Sequence, residues 1–136
     1  MDLDAARDFV RNNHRAVFTA RRANGDPQLS PVVCAVDIGG RVAVSTRETA
    51  LKVKNMRRDP RVSLCVINDG FFGDWIQVDG TAEIVSLPDA MDGLVDYYRS
   101  LAGEHSDWDE YRASMERDRR VLVRVELQRA GPDRSG

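Results

Sequence analysis

A chain of 136 residues with 42% apolar and 31% charged content is long enough for one core and too short for a second lobe that clamps a substrate. A formal charge of −2 excludes a nucleic acid gripped over a broad face, and apolar runs such as Val32 to Val36 are too short to cross a bilayer. The acidic start Met1-Asp2-Leu3-Asp4 lacks the basic region of a signal peptide, and Cys34 and Cys65 lie within apolar strand patterns without a Cys/His cluster. The expectation is a cytoplasmic protein with two reduced thiols, no metal site and no disulfide framework.

In chain order, Leu3, Ala6, Phe9 and Val10 behind Asp2 predict a short amphipathic helix over 3–12. Arg15 to Ala23 reads as a strand, Asn24-Gly25 as a hairpin turn, and Gln28 to Asp37 as the returning strand. Pro31 inside that strand marks an edge, a bulge or a place where the ladder opens for a ligand. Gly39-Gly40 turns the chain into a third strand, Arg41 to Ser45.

The next segment, Arg47 to Arg61, carries six basic residues against two acidic ones, on a chain that is otherwise acidic. A compact cationic spot of this kind suits a small anionic ligand. Ser45 and Thr46 are read as the hand-over from strand to helix, where hydroxyls, free backbone N–H groups and the helix dipole converge on a phosphate. Lys52 completes that cradle. The competing reading is a plain Ser45-x-x-Glu48 capping box on a solvated helix.

Beyond it, Val62 to Ile67 is a nearly continuous apolar strand, and 68–73 a loop containing Phe71 and Phe72. Asp74 to Val85 is a long strand in which Gly80 marks a bulge or barrel corner. Leu87-Pro88-Asp89-Ala90 opens a helix to about Leu101, a second helix runs from Asp107 to Glu116, and Arg120 to Gln128 is the last strand. Six strands joined mostly by hairpins predict an antiparallel barrel with peripheral helices, one domain over 1–129, and a disordered tail over 130–136.

Three segments together resemble the split β-barrel flavin and deazaflavin family of pyridoxamine 5′-phosphate oxidase. They are Asn24-Gly25-x-Pro27-Gln28-x-Ser30-Pro31-Val32, then Ser45-Thr46 through Lys52 to Asp59-Pro60-Arg61-Val62, and Gln77-Val78-x-Gly80-Thr81-Ala82-Glu83. A fourth, Tyr98 with Ala102-Gly103-Glu104-His105-Ser106-Asp107-Trp108 and Arg119-Arg120-Val121-Leu122, is similar to small actinobacterial members that use the deazaflavin coenzyme F420. The resemblance implies a six-stranded split barrel and a homodimer with two cofactor sites at the subunit interface. It further implies that Ser45, Thr46 and Lys52 hold the cofactor phosphate while Gln28, Ser30, Pro31 and Val32 line the ring. Many relatives carry an arginine where this chain has Ala50, so one phosphate contact is missing, and Lys54 or Arg47 stands nearby to replace it.

Flavin-type chemistry needs no side-chain nucleophile, in keeping with the lack of a triad, a Gly-x-Ser-x-Gly elbow or a dinucleotide fingerprint, and no catalytic residue is assigned. Lys54, Arg57 and Arg58 exceed what one phosphate requires and suit the acidic tail of coenzyme F420, with FMN as the alternative cofactor. Trp75, with Phe71 and Phe72, is a candidate wall over the cofactor or substrate, against a core or dimer role for the same aromatics. His105 is read either as a proton donor to substrate or as a residue that orders its loop. The expected function is hydride transfer between reduced deazaflavin and a small conjugated substrate. The alternatives are an FMN-dependent oxidoreductase and a non-catalytic binder of flavin or haem.

Overall fold

In the computed structural model, which describes residues 1–132, the strand expected over 28–37 is broken at Cys34, and that break organises the fold. Before it, β2 (Pro27–Val33) pairs antiparallel with β1 (Arg15–Arg21). After it, β3 (Ala35–Val36) pairs with β4 (Val42–Arg47) on the far side of the sheet. With β5 (Arg61–Ile67), β6 (Trp75–Val85) and β7 (Arg120–Gly131), the sheet order is β2-β1-β5-β6-β7-β4-β3. Its two edges are therefore halves of one bent strand, and the sheet curls round on itself as a split barrel. The expected six strands become seven because the bend divides one of them. At the bend the ladder is replaced by contacts to the start of β1: the Cys34 N–H donates to the His14 carbonyl (2.7 Å), and His14 Nδ1–H donates to the Cys34 carbonyl (2.9 Å).

Local sequence explains most of the remaining elements. Asp2 caps α1 (Leu3–Asn12) by accepting from the Asp4 N–H at 2.7 Å. The Asn24-Gly25 hairpin forms with Gly25 at φ +89°. Gly80 sits at the register shift between β6 and β7, where a Cβ would run into the Glu126 carbonyl oxygen, so only glycine fits. Leu87 to Ala90 form a turn rather than the start of a helix, and α3 spans Met91–Ala102. Asp107 caps α4 (Trp108–Arg117) by accepting from the Glu110 N–H at 3.1 Å.

β7 continues past the expected boundary, pairing Ala130 with Val78 and Gly131 with Gln77, so the barrel extends into the segment read as tail. The remainder of that segment, 133–136, lies outside the described residues. Among the described residues no helix is long and apolar enough to cross a membrane.

The barrel interior is filled by Phe18, Val44, Leu64, Val66, Val78 and Val123, closed by Ala6 and Val10 of α1 and by Val53 and Met56 of α2 (Leu51–Arg58). A second apolar cluster lies outside the barrel wall, where Leu94 and Val95 of α3 and Tyr111 of α4 pack on Ala43 of β4 and Leu122 of β7. This places α3 and α4 against one flank of the sheet, next to the bend at Cys34.

Candidate functional site

Between that flank and the β2 edge lies a cavity of 850 Å³. Pro31, Val32 and Val33 reach it from β2, Ser45 and Thr46 from β4, Lys52 from α2, Tyr97 and Tyr98 from α3, and Arg120 from β7. Five of the residues singled out from sequence, Pro31, Val32, Ser45, Thr46 and Lys52, line this space together. Ser30 stands directly behind them and accepts a hydrogen bond from Lys52 Nζ at 3.2 Å.

The route by which they converge differs from the expected one. Ser45 and Thr46 are not at a helix start: they belong to β4, paired with Leu122 and Val121 of β7. The ladder wins over the local cap, so the Ser45-x-x-Glu48 capping box does not form. Glu48 instead donates its backbone N–H to the Arg119 carbonyl (2.8 Å) and binds Arg57 through its carboxylate (2.6 Å). The N-cap of α2 is Ala50, with no side-chain cap and no acidic residue in the first turn. The first N–H groups of that helix are left for an outside acceptor, beside Lys52.

Electrostatics favour the same ligand. Arg15, Lys52 and Arg120 line the cavity against a single acid, Asp118. Burial, and then the positive field of Arg120, push the Lys52 ammonium below its ordinary value. Arg120 Nε is buried and makes no hydrogen bond among the described residues, its nearest carboxylate oxygen being Asp118 Oδ2 at 3.7 Å. The hydroxyls of Ser45 and Thr46 likewise have no partner there. A buried guanidinium nitrogen without a hydrogen bond, an ammonium with donors to spare beyond Ser30, and two hydroxyls fit an anion such as a phosphate.

Other residues singled out from sequence stand elsewhere. Gln28 is buried on the inner side of β2, within 3.4 Å of Asn55 Nδ2, away from the cavity. Lys54 is two residues from Lys52, about 200° round the helix, and points to solvent. Arg58 holds α2 to the β1–β2 hairpin by donating to the Arg21 carbonyl (2.8 Å) and Asn55 Oδ1 (2.9 Å). Neither lines the cavity, because a single helix cannot aim positions 52, 54 and 58 at one point.

Trp75 lies at the start of β6 in a separate recess with Gln77 and Arg129. Phe71 and Phe72 project from a loop braced by Asn68, whose amide donates to the Phe72 (3.2 Å) and Asp74 (3.0 Å) carbonyls. Asp69 of that loop stands 3.8 Å from Arg15 at the cavity rim. His105 Nδ1 accepts from the Asp107 N–H at 2.8 Å, the loop-ordering role of the two considered.

Sequence reasoning missed Arg15, Arg120, Tyr97, Tyr111 and Met115 as site residues. Arg120 was visible in hindsight: it opens a strand, and pairing that strand beside Ser45-Thr46 brings it to the phosphate corner. The tyrosines had no such signal, since their place depends on how α3 and α4 fold back over β4. Burial raises the Tyr97 phenol to about 12, so it stays protonated and donates to the Val33 carbonyl at 2.7 Å.

Residues 3–131 match the family described as pyridoxamine 5′-phosphate oxidase. The chain belongs to that family. The pyridoxamine 5′-phosphate oxidase family is one of flavin-binding oxidoreductases, and the cavity at the β2–β4–α2 corner is its candidate cofactor site here. Among solved structures, a conserved hypothetical protein of Mycobacterium tuberculosis is 26% identical, with a TM-score of 0.75 over 96% of this chain and 82% of that one. An F420 reductase shares the fold at 20% identity, with a TM-score of 0.69 over 91% of this chain and 94% of that one. A heme binding protein of Mycobacterium smegmatis shares it at 16% identity and a TM-score of 0.69, over 94% of this chain and 52% of that one.

Proposed function

We propose that this protein is an oxidoreductase that holds coenzyme F420 in the 850 Å³ cavity and reduces a small conjugated substrate beside it. The observation that carries the cofactor assignment is the unmet anion site: the uncapped start of α2, Ser45, Thr46, Lys52 and the orphaned Arg120 Nε. These residues would hold the coenzyme phosphate, and Pro31, Val32 and Val33 would face its ring. When bound, the deazaflavin supplies or accepts a hydride, and the protein supplies position and charge. The fold shared with an F420 reductase and the Gly103-to-Trp108 motif support the deazaflavin over other ring systems.

FMN is the second reading, and one observation favours it. Arg57 is paired with Glu48, and Arg58 is spent on the Arg21 carbonyl and Asn55. Fewer cations are therefore left for an acidic tail than the sequence advertises. Titration of the purified protein with coenzyme F420, oxidised and reduced, and with FMN decides between them. Tighter binding of the deazaflavin in either redox state supports the first reading. Tight FMN with weak deazaflavin reverses the order, and binding of neither removes both.

The same reading includes a homodimer. On the outer side of β2, β1, β5 and β6, cross-strand rows place Val33, Arg15, Ile67 and Trp75 together, and next to them Pro31, Val17 and Cys65. Arg15, Pro31 and Val33 belong both to this surface and to the cavity lining, so a second copy seated there would also roof the cavity. A permanent interface would bury the apolar rows. Sedimentation at micromolar concentration tests this, a folded, cofactor-binding monomer being the result that excludes it.

A further inference from the structure

A second cavity, of 340 Å³, lies between α3, the β3–β4 hairpin and the outer side of β7. Tyr97 lines it as well as the larger cavity and stands between the two. Its volume falls within the range of small-molecule sites, about 300–1,000 Å³. The α3 wall is a single helix face, Gly93, Asp96, Tyr97 and Ser100, spaced by three and four residues.

Two arginines meet there around one carboxylate. Arg124 is two residues from Leu122 on β7 and so shares its outward side. A Cβ on Gly93 would stand 3.0 Å from Arg124 Nη2, so a glycine, poor as a helix former, is what lets the guanidinium lie against α3. At its other end Arg124 Nε is 3.6 Å from Asp37 Oδ2, and Arg41 Nε is 3.3 Å from the same oxygen. Both separations exceed the about 2.7–2.9 Å of a charge-assisted hydrogen bond. Asp37 is already committed to the hairpin, its Oδ1 accepting from the Gly39 and Arg41 N–H groups, each at 2.9 Å. Arg124 Nε is buried and makes no hydrogen bond among the described residues. Arg41 Nη1 comes only within 3.8 Å of Glu83. The guanidiniums share one occupied carboxylate and keep donors to spare.

Unspent guanidinium donors call for a carboxylate on the ligand. A bare anion is a poor match, however, because Asp37, Asp96 and the nearby Glu83 outnumber the two arginines. Asp96 is paired with neither guanidinium among the described residues, although it follows Gly93 by one turn on the same helix face. Opposite charges that line one small cavity without pairing suit a ligand that carries both signs. We propose that this cavity binds a small zwitterion, an α-amino acid with an apolar side chain. Its carboxylate is held by Arg41 and Arg124, its ammonium by Asp96, and its side chain by Val36, Ala43 and Leu122. The site is separate from the proposed cofactor site and does not depend on what that site holds.

The test measures binding of three probes to the full-length protein with no cofactor added, by calorimetry and by thermal shift. They are L-leucine, isocaproate, which lacks the ammonium, and isopentylamine, which lacks the carboxylate. Leucine is expected to bind at least about tenfold more tightly than either, the lower end for a hydrogen bond to a charged group. Arg124→Met should weaken leucine and isocaproate together by about ten- to a hundredfold and leave isopentylamine unchanged. Asp96→Asn, at an exposed position, should bring leucine down to the level of isocaproate without lowering thermal stability. Should Arg124→Met fail to fold, the Asp96→Asn comparison decides alone. Binding of none of the probes overturns the site. Isocaproate as tight as leucine in the wild-type protein, or an unchanged leucine preference in Asp96→Asn, overturns the zwitterion. Equal losses of all three probes in Arg124→Met would trace the effect to packing and overturn the role of the guanidinium.

Discussion

On β4 and β7, the outward residues Ala43 and Leu122 are buried beneath α3 and α4. On β2 and β6, the outward residues Leu29 (61% exposed), Val33 (49%) and Trp75 (47%) face solvent. Both surfaces are built on the same curled sheet with comparable side chains, yet one is covered by helices and the other is open. The difference lies in the connections. The β6–β7 link carries two helices that fold back, whereas β1–β2 and β5–β6 are hairpins with nothing to lay over the strands they join. Covered flank and bare flank meet at the cavity, which takes residues from both.

The largest expected effect lies on the covered flank. Leu94 is fully buried between α3 and the outer side of the sheet. Leu94→Ala should cost about 2–5 kcal/mol, the range for a large-to-small core change. The loss, read by denaturant unfolding, should be the same at every protein concentration. A concentration-dependent loss would show that this flank, too, is completed by a partner.

Lys52→Ala comes next. It is expected to weaken cofactor binding by roughly 1.5–3 kcal/mol, as for a hydrogen bond to a charged group. Lys54→Ala and Arg58→Ala should do less, and any loss should shrink at high salt, because these residues lie off the cavity. Equal losses for Lys52 and Lys54, measured by titration with FMN and with coenzyme F420, would contradict the placement of the anion at the Ser45–Thr46 corner.

On the bare flank, Val17→Asp probes the centre of the apolar rows, between Pro31 and Cys65. An isolated subunit should tolerate this half-exposed change within about 1 kcal/mol. A dimer closed over this surface should fall to half its mass in sedimentation. Trp75→Ala should likewise weaken association more than it lowers thermal stability of the subunit. If neither variant changes the mass of an assembled protein, the interface lies elsewhere.

How far the sequence carried differs along the same line. The hairpins at Asn24-Gly25 and Gly39-Gly40, the bulge at Gly80 and the start of α4 at Asp107 are local, and each was legible from a few adjacent residues. The surplus of four positive charges near Lys52 was legible too, but its direction was not. Composition counts charges without regard to helix azimuth, so Lys54 and Arg58 were assigned to a coenzyme tail beyond the phosphate, whereas Lys54 points to solvent and Arg58 is held by the Arg21 carbonyl and Asn55. The division of the second strand at Cys34 was hidden because its cause is a contact with His14, twenty residues earlier. The tyrosines escaped for the same reason: their site exists only after α3 and α4 pack on β4.

The smallest effect concerns pH, and its sign differs between folding and binding. In the free protein Lys52 sits below its usual value of 10.5, through burial and the field of Arg120. The unfolded chain therefore holds that proton more tightly than the folded one. The contribution of Lys52 to stability should rise with pH between its lowered value and 10.5. An anion bound beside the ammonium reverses the balance, since it restores the proton that burial and Arg120 disfavour. Binding then takes up protons, so affinity for a phosphate-bearing ligand should be flat below the lowered Lys52 value and fall as pH rises through it. Lys52→Arg keeps its charge throughout and should retain most affinity while losing the slope. Calorimetric titration of FMN across that range, in buffers of different ionisation enthalpy, reads the proton uptake directly. Uptake that persists unchanged in Lys52→Arg would assign it to another group and separate Lys52 from the anion site.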